Sequence, residues 1–497
     1  MTGKLSERMP LAEMPDLVLD SDISTAMFRQ LYLALREQVL DGRLRPGTRL
    51  PSSRALAGDL GVGRNTVIAA FDQLLAEGYL ETRKGSGTYI AEVLPETWHS
   101  AKPLPTVNHS GAARLQLSDY AELMSRETIR SGQTNQSFCV GVPNLRAFPA
   151  KVWNRLQQQV PSAGLTEIMG FNDPMGYQPL REAVADYVRS SRAVNCEAEQ
   201  ILITTGAQQA LDLCARLLLN SGDQAVLENP GYLGARRALL AAGAELVPCP
   251  VDHQGMMVQK LDGLTENPRL IYVTPAHQYP MGPVLPLERR AELLEWAYQN
   301  QCWVLEDDYD SEYHYQHRPL SSLQGLDRQQ QVINIGSFSK VLFPALRLGY
   351  LVLPQALVST FVKAKMEHSG DTSLHTQATV AAFMQEGHFS RHLKRMRLLY
   401  AKTLEVMLEA CQGLKPWCRI HEYGAGMHLV LEFTSPLPEQ AVYEQLRQSG
   451  ILCSRLSSYY FRDNKKFGLV LGFTNSSPTE IEKGVEKIRK ILTAWRQ

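Results

Sequence analysis

The chain carries no net charge: 51 Lys and Arg stand against 51 Asp and Glu in 497 residues. A global basic field for nucleic acid is thereby excluded, and any such signal must be local. Its eight cysteines (Cys139, Cys196, Cys214, Cys249, Cys302, Cys411, Cys418 and Cys453) form no CxxC pair and no grouping at zinc-ligand spacing. That removes a disulfide scaffold and a zinc finger and leaves reduced packing thiols, as in a cytosolic protein. No apolar run is long enough to span a bilayer, and the opening MTGKLSERMPLAEMPDLVLDSD lacks the basic-then-apolar order of a signal peptide. A cytoplasmic protein with no metal site is expected. What the sequence has is length: at roughly 150 residues per domain it exceeds one hydrophobic core and accommodates two to four domains.

The first ninety residues carry the local signal. From Ala26 to Asp41 the apolar Phe28, Leu31, Leu35 and Val39 recur at helical spacing, which predicts an amphipathic helix with one buried stripe, ended by Gly42 and Pro46-Gly47. In LPSSRALAGDLGVGRNTVIAAFDQLLAEGYL a short helix opens at Ser52 or Ser53, turns at Gly61 to Gly63, and is followed by a second helix from about Arg64. Val67, Phe71, Leu74 and Leu75 make that helix one-sided and leave Arg64, Asn65 and Thr66 exposed at its start. This is helix-turn-helix geometry, in which the first turn of the second helix presents polar side chains to base edges. YLETRKGSGTYIAE then alternates, turns at Lys84-Gly85-Ser86-Gly87 and alternates again, predicting a basic β-hairpin wing. Between residues 26 and 90, nine Lys/Arg face six Asp/Glu, a local 9 − 6 = +3, with Arg54, Arg64, Arg83 and Lys84 where a phosphate backbone would lie.

This run resembles the winged-helix domain of the GntR family of bacterial regulators, through RLPSSRALAGDLGVGRNTV and GYLETRKGSGTYI. The resemblance implies that Arg54, Arg64 and Thr66 contact operator DNA from the helices and Lys84 from the wing. Ile68 stands where some family members use a basic residue, so base preference does not carry over.

From about Val93 to Asp119 the prolines at 95, 103 and 105 among small polar residues predict an extended linker. Beyond it, β-rich runs alternate with helical patterns, indicating an α/β domain with a mostly parallel sheet whose ligands gather at strand ends. Three strand ends stand out. Thr204-Thr205-Gly206 leads into a helix at Ala207-Gln208, a ready anion site. VLEDDYD ends a buried strand in Glu306, Asp307 and Asp308, followed by Tyr309. VINIGSFSK ends another with Ser337 and Lys340, and Arg347 follows seven residues later. A phosphate cradle, an acid and a lysine are together what pyridoxal 5′-phosphate (PLP) requires: an amine for a Schiff base, a carboxylate beside the ring nitrogen, and donors for the phosphate. Tyr232, in ENPGYLGARRAL, is placed to cover the ring.

Here the chain looks like the fold-type I PLP-dependent aminotransferases over about 360 residues to the carboxyl terminus, with a small C-terminal α+β subdomain. The resemblance implies that Lys340 forms the Schiff base, Asp307 partners the pyridinium nitrogen, Tyr309 bonds the ring hydroxyl, and Tyr232 stacks on the ring. It also implies that Ala207, Gln208, Ser337 and Arg347 hold the phosphate. Two positions depart from the aminotransferase pattern. HQYPMG places Tyr279 where an asparagine usually holds the ring hydroxyl, and LVLGF places Val470 where an arginine usually clamps the substrate carboxylate. Losing a bidentate clamp costs several kcal/mol of amino-acid binding.

A GntR winged helix joined to an aminotransferase-like domain is the arrangement of the MocR subfamily of transcription regulators, which the chain also resembles in TPAHQYPMG, LEDDYDSEY, GSFSKVLFPALRLGY and HFSRHLKRMRLLY. The expected division is a winged helix over 24–92, a linker over 93–119 and a PLP-binding effector domain over 120–497, its small subdomain from about 360. The resemblance implies a homodimer, head to tail, that senses PLP or a small amino compound such as γ-aminobutyrate. A PLP-dependent aminotransferase with secondary DNA binding is the alternative. Effector, regulon, and activation versus repression stay open.

Overall fold

A computed structural model describes residues 17, 19–20, 22–94, 116–125, 136–160, 170, 173–264, 267–316, 320–461 and 465–495. Most of the predicted linker, 95–115, and most of the amino-terminal segment lie outside them. The chain divides into two compact units, residues 1–116 and 117–497.

In the first unit, α1 (Met27–Leu40), α2 (Ser53–Leu60) and α3 (Arg64–Ala76) precede a hairpin of β1 (Leu80–Arg83) and β2 (Gly87–Ile90). Ser52 opens α2, its Oγ accepting the Ala55 N–H (3.2 Å), a cap worth about 1 kcal/mol. Gly61 closes α2 in the left-handed conformation (φ 66°) that a side chain would resist. Leu31, Tyr32, Leu35 and Val39 of α1 meet Leu56, Val67, Phe71 and Leu74 in one core. Phe28 departs from the predicted stripe: it is 39% exposed. It lies in the first turn of α1, one turn ahead of the Leu31 layer where the core begins, and the stripe runs through Tyr32 instead. The hairpin pairs Leu80 with Ile90 and Arg83 with Gly87, leaving Lys84 to Ser86 as its tip.

The second unit is built on a sheet of eight strands. Its order is β3 (Ile201–Thr204), β10 (Gly349–Val352), β9 (Val332–Ser337), β8 (Trp303–Asp308), β7 (Leu270–Val273), β4 (Gln224–Asn229), β5 (Glu245–Asp252) and β6 (Gly255–Met256). β4, β5, β7, β8 and β9 are parallel; β10 runs antiparallel to both β3 and β9, and β6 closes a hairpin on β5. β3, β7 and β10 are buried at every position, so both faces must be covered, as mostly parallel sheets require. A smaller antiparallel sheet follows, ordered β11 (Cys418–His421), β12 (His428–Phe433), β14 (Gly468–Gly472), β13 (Ser454–Arg455). The segment 137–142 joins the two sheets: Gly472 N–H donates to Phe138 O (3.0 Å), and Thr474 Oγ1 to Val142 O (2.6 Å). Among the described residues no helix is long and apolar enough to cross a membrane.

Candidate functional site

Strand alternation sorts the acids of β8. Successive side chains point to opposite faces, so Glu306 and Asp308 share one face and Asp307 takes the other. Glu306 accepts the Leu323 and Gln324 N–H groups (2.7 and 3.0 Å) and the Asn334 amide (3.2 Å). Asp308 pairs with the buried Arg192 guanidinium (2.8 Å). Both are thus structural. Asp307, 4% exposed, accepts the Tyr272 hydroxyl on Oδ2 (2.7 Å), while its Oδ1 has no partner among the described residues. Burial pushes its carboxyl up to about 7; the Tyr272 bond opposes this, the Asp308 charge adds to it, and Lys340 opposes it. A buried carboxylate oxygen left unpaired costs about 1–3 kcal/mol or more, and a cationic N–H partner would remove that cost.

Lys340 sits in the turn after β9, and its Nζ donates to Gly141 O (3.0 Å). Gly141 has φ 73°, and a Cβ there would lie 2.6 Å from Nζ, so only glycine lets the chain pass this close to the amine. The phosphate-type donors converge at the opposite edge. β3 leads through Gly206 (φ 117°) into the helix Ala207–Leu218, whose first turn has no side-chain cap. The Ala207 and Gln208 N–H groups therefore have no partner in their own helix. The Arg347 guanidinium lies 4.0 Å from where a Gly206 Cβ would stand, and it has no hydrogen-bond or ion-pair partner among the described residues. Arg347 also holds a left-handed backbone (φ 49°), which costs a non-glycine residue about 1–2 kcal/mol. Ser337 pairs across to Gly349, where any Cβ would strike Gly206, so strand pairing brings Ser337 to the same corner.

The far side of the site is aromatic. The Tyr279 ring meets those of Tyr232 (5.6 Å), Tyr309 (5.6 Å), Tyr459 (5.3 Å) and His428 (5.2 Å) edge-on, and its hydroxyl bonds that of Tyr459 (3.1 Å). Val470 is fully buried on β14 opposite Val430 and Ser454, in an apolar cluster with Val140, Met281 and Tyr459. Tyr309 Oη lies 2.9 Å from His277 Nδ1, which also faces Asp310 Oδ2 (3.1 Å). Gly141, Tyr272, His277 and Asp310 were not singled out from the sequence as site residues. The single aromatic in the aliphatic strand RLIYV was the available signal for Tyr272 and pairing register the missing information; the other three show no local signal.

In the winged-helix unit Arg54, Arg64, Asn65 and Lys84 are exposed and Thr66 is half-buried. Arg83 behaves differently from its neighbours: it pairs with Glu81 (2.7 Å) and Glu92 (2.9 Å) over the Tyr89 ring (4.6 Å), and so braces the hairpin. Arg49, exposed beside the hairpin, comes within 3.1 Å of where a Gly87 Cβ would stand.

The two units together are a winged helix-turn-helix and an aminotransferase-type domain. Residues 28–90 match the family model for bacterial regulatory proteins of the gntR family, and residues 138–488 match that for class I and II aminotransferases. The chain is 40% identical over 479 residues to the probable rhizopine catabolism regulatory protein MocR of Rhizobium meliloti, covering 96% of each chain. It is 31% identical to the pyridoxine biosynthesis transcriptional regulator PdxR of Corynebacterium glutamicum, covering 93% of this chain and 95% of the relative. Among solved structures it resembles LysN, the α-aminoadipate aminotransferase of Thermus thermophilus, complexed with N-(5′-phosphopyridoxyl)-L-leucine, at a TM-score of 0.71 and 27% identity over 76% of this chain and 98% of that one. The chain belongs to the MocR-type transcription regulators of the gntR family, whose second domain is a class I and II aminotransferase domain. The cofactor of such a domain is PLP, and the donor set fits it: an unpaired buried carboxylate oxygen on Asp307, a lysine amine, and unpaired cationic and N–H donors at Arg347 and Ala207-Gln208.

Proposed function

We propose that this regulator's operator affinity is set by the contents of the strand-end site, which binds PLP on Lys340 and reads either the cofactor's abundance or a small amino compound. The observation that carries the reading is the pairing of opposites in that site: Asp307, buried with one oxygen unpaired, lies within electrostatic reach of Lys340. When bound, the cofactor supplies an aldehyde carbon reactive toward primary amines. Lys340, whose Nζ donates to Gly141 O, is the residue that would offer its amine to that carbon. Asp307, with its unpaired Oδ1, would hold a proton on the ring nitrogen, Tyr309 would bond the ring hydroxyl, and Tyr232 would cover the ring. Ser337 and the Ala207 and Gln208 N–H groups would donate to the phosphate, and Arg347 would offset its charge.

With apolar Val470 on β14, the aromatic side supports recognition of an amine by shape and hydroxyl contacts more than by a carboxylate clamp. On the DNA side Arg64, Asn65 and Thr66 read base edges, while Arg54 and Lys84 contact phosphate. The protein is cytoplasmic and acts as a head-to-tail homodimer reading two half-sites. Coupling follows from differential affinity: an effector that favours one domain arrangement changes operator affinity by the same factor that operator changes effector affinity.

The test is retardation of the DNA upstream of the protein's own gene, with and without PLP and a panel of primary amines. A shift in midpoint with PLP or one amine, lost in Lys340→Ala, supports the reading. Sustained release of keto acid over many turnovers, with no effect of any amine on DNA binding, would favour the aminotransferase alternative.

A further inference from the structure

We infer that His277, held by Asp310, is a positioning residue that fixes Tyr309 as a hydrogen-bond donor toward the cofactor. This rests on the reading of Lys340 and Asp307 as cofactor ligands. One ring nitrogen, His277 Nδ1, faces two oxygens: Tyr309 Oη at 2.9 Å and Asp310 Oδ2 at 3.1 Å. Asp310 is 1% exposed, its Oδ1 has no partner among the described residues, and His277 Nδ1 is the partner of its Oδ2. A buried carboxylate with a single contact needs that contact to be a donor, because a nitrogen lone pair against it would leave both groups unsatisfied. The network therefore assigns a proton to Nδ1, in the neutral ring and in the imidazolium alike.

Once Nδ1 carries a proton, Tyr309 cannot donate to it. The Tyr309 oxygen accepts from, or is crowded by, the shared N–H, and its own proton must point elsewhere, toward the cofactor. Tyr309 thereby offers a donor to an anionic ring oxygen, which favours the charged form of that oxygen.

The imidazole is built into this place. A Cβ at Gly426 would stand 2.0 Å from His277 Cε1, and one at Gly282 would stand 3.2 Å from Nε2, so two left-handed glycines (φ 75° and 98°) make room for the ring. The titratable groups that face the pair are Asp307 and Asp310 at the end of β8, Glu228 at the end of β4, Tyr279, Lys340 after β9, His314, and His428 on β12. His428 donates through Nε2 to Pro280 O (2.9 Å), and burial holds it neutral, down at about 4. It therefore brings no competing charge at neutral pH.

The test is a pH titration of the visible absorbance of the full-length, PLP-loaded protein. His277→Phe frees the Tyr309 hydroxyl to rotate, and the titration midpoint rises by about one to two pH units. Tyr309→Phe raises it comparably, and the double variant goes no further than Tyr309→Phe alone, since both act through one hydroxyl. His277→Asn, whose amide N–H can take the place of Nδ1–H, returns the midpoint toward wild type. Asp310→Leu, which leaves the ring but removes its acceptor, moves the midpoint in the same direction as His277→Phe and serves if that variant fails to fold. A midpoint unchanged in His277→Phe or Asp310→Leu while Tyr309→Phe moves it overturns the inference, as do additive shifts. A wild-type titration identical to that of Lys340→Ala overturns the cofactor reading itself and this inference with it.

Discussion

The two units keep their polar residues in opposite conditions. In the winged helix, Arg54, Arg64 and Lys84 stand in water, where a waiting cation costs little. In the larger unit Asp307, Asp310 and Glu228 are buried, and burial raises the Asp307 and Glu228 carboxyls to about 7. An exposed cation gains affinity for phosphate mainly by releasing counterions. A buried acid destabilises the fold until a ligand neutralises it. The first arrangement predicts salt-sensitive, modular binding, and the second predicts a fold whose stability depends on what occupies it.

The comparison breaks most cleanly at Lys340. Lys340→Ala loses all lysine-linked PLP absorbance, yet retards upstream DNA as cofactor-free wild type does; loss of both would show that the units are not separable in this way. Next in size, Arg64→Ala with Thr66→Ala costs about 1–3 kcal/mol per base contact, roughly fivefold to over a hundredfold each, while the absorbance spectrum stays unchanged. Fluorescence anisotropy on labelled operator measures the first and spectrophotometry the second.

Asp307→Asn sharpens the contrast through pH. The native carboxyl titrates at about 7 against about 3.9 unfolded, so between these values the folded protein holds the extra proton. Stability contributed by Asp307 is therefore lost as pH rises from about 4 to about 7, and the penalty is complete above 7. Thermal melts of cofactor-free Asp307→Asn should exceed wild type at pH 8, by up to about 4 kcal/mol, and match it near pH 4. PLP should stabilise the variant less than wild type. The smallest effect belongs to the wing: Lys84→Ala weakens all DNA sequences alike and lowers the salt slope of binding by about one.

What the sequence made legible divides along the same line. The helix starts at Ser52 and Arg64 and the hairpin tip at Lys84-Gly85 were readable because caps and turns are local. The α/β strands were readable because their apolar runs are continuous. Phe28 shows the limit of periodicity, which counts apolar positions without knowing where the core begins. The acidic run of β8 was visible as a run, but its division into Glu306 and Asp308 as structural acids needs Arg192 and Asn334, brought in by tertiary packing. Gly141 is 199 residues from the lysine it touches, and His277 gains meaning only beside Tyr309 and Asp310. No spacing rule spans such separations.

The bond from Lys340 Nζ to Gly141 O gives the amine two employers. Gly141 lies in the strap whose ends are tied to the smaller sheet, at Phe138 through Gly472 and at Val142 through Thr474. If a ligand claims the amine, that carbonyl would lose its donor, and one tether between the large sheet and the small one would loosen.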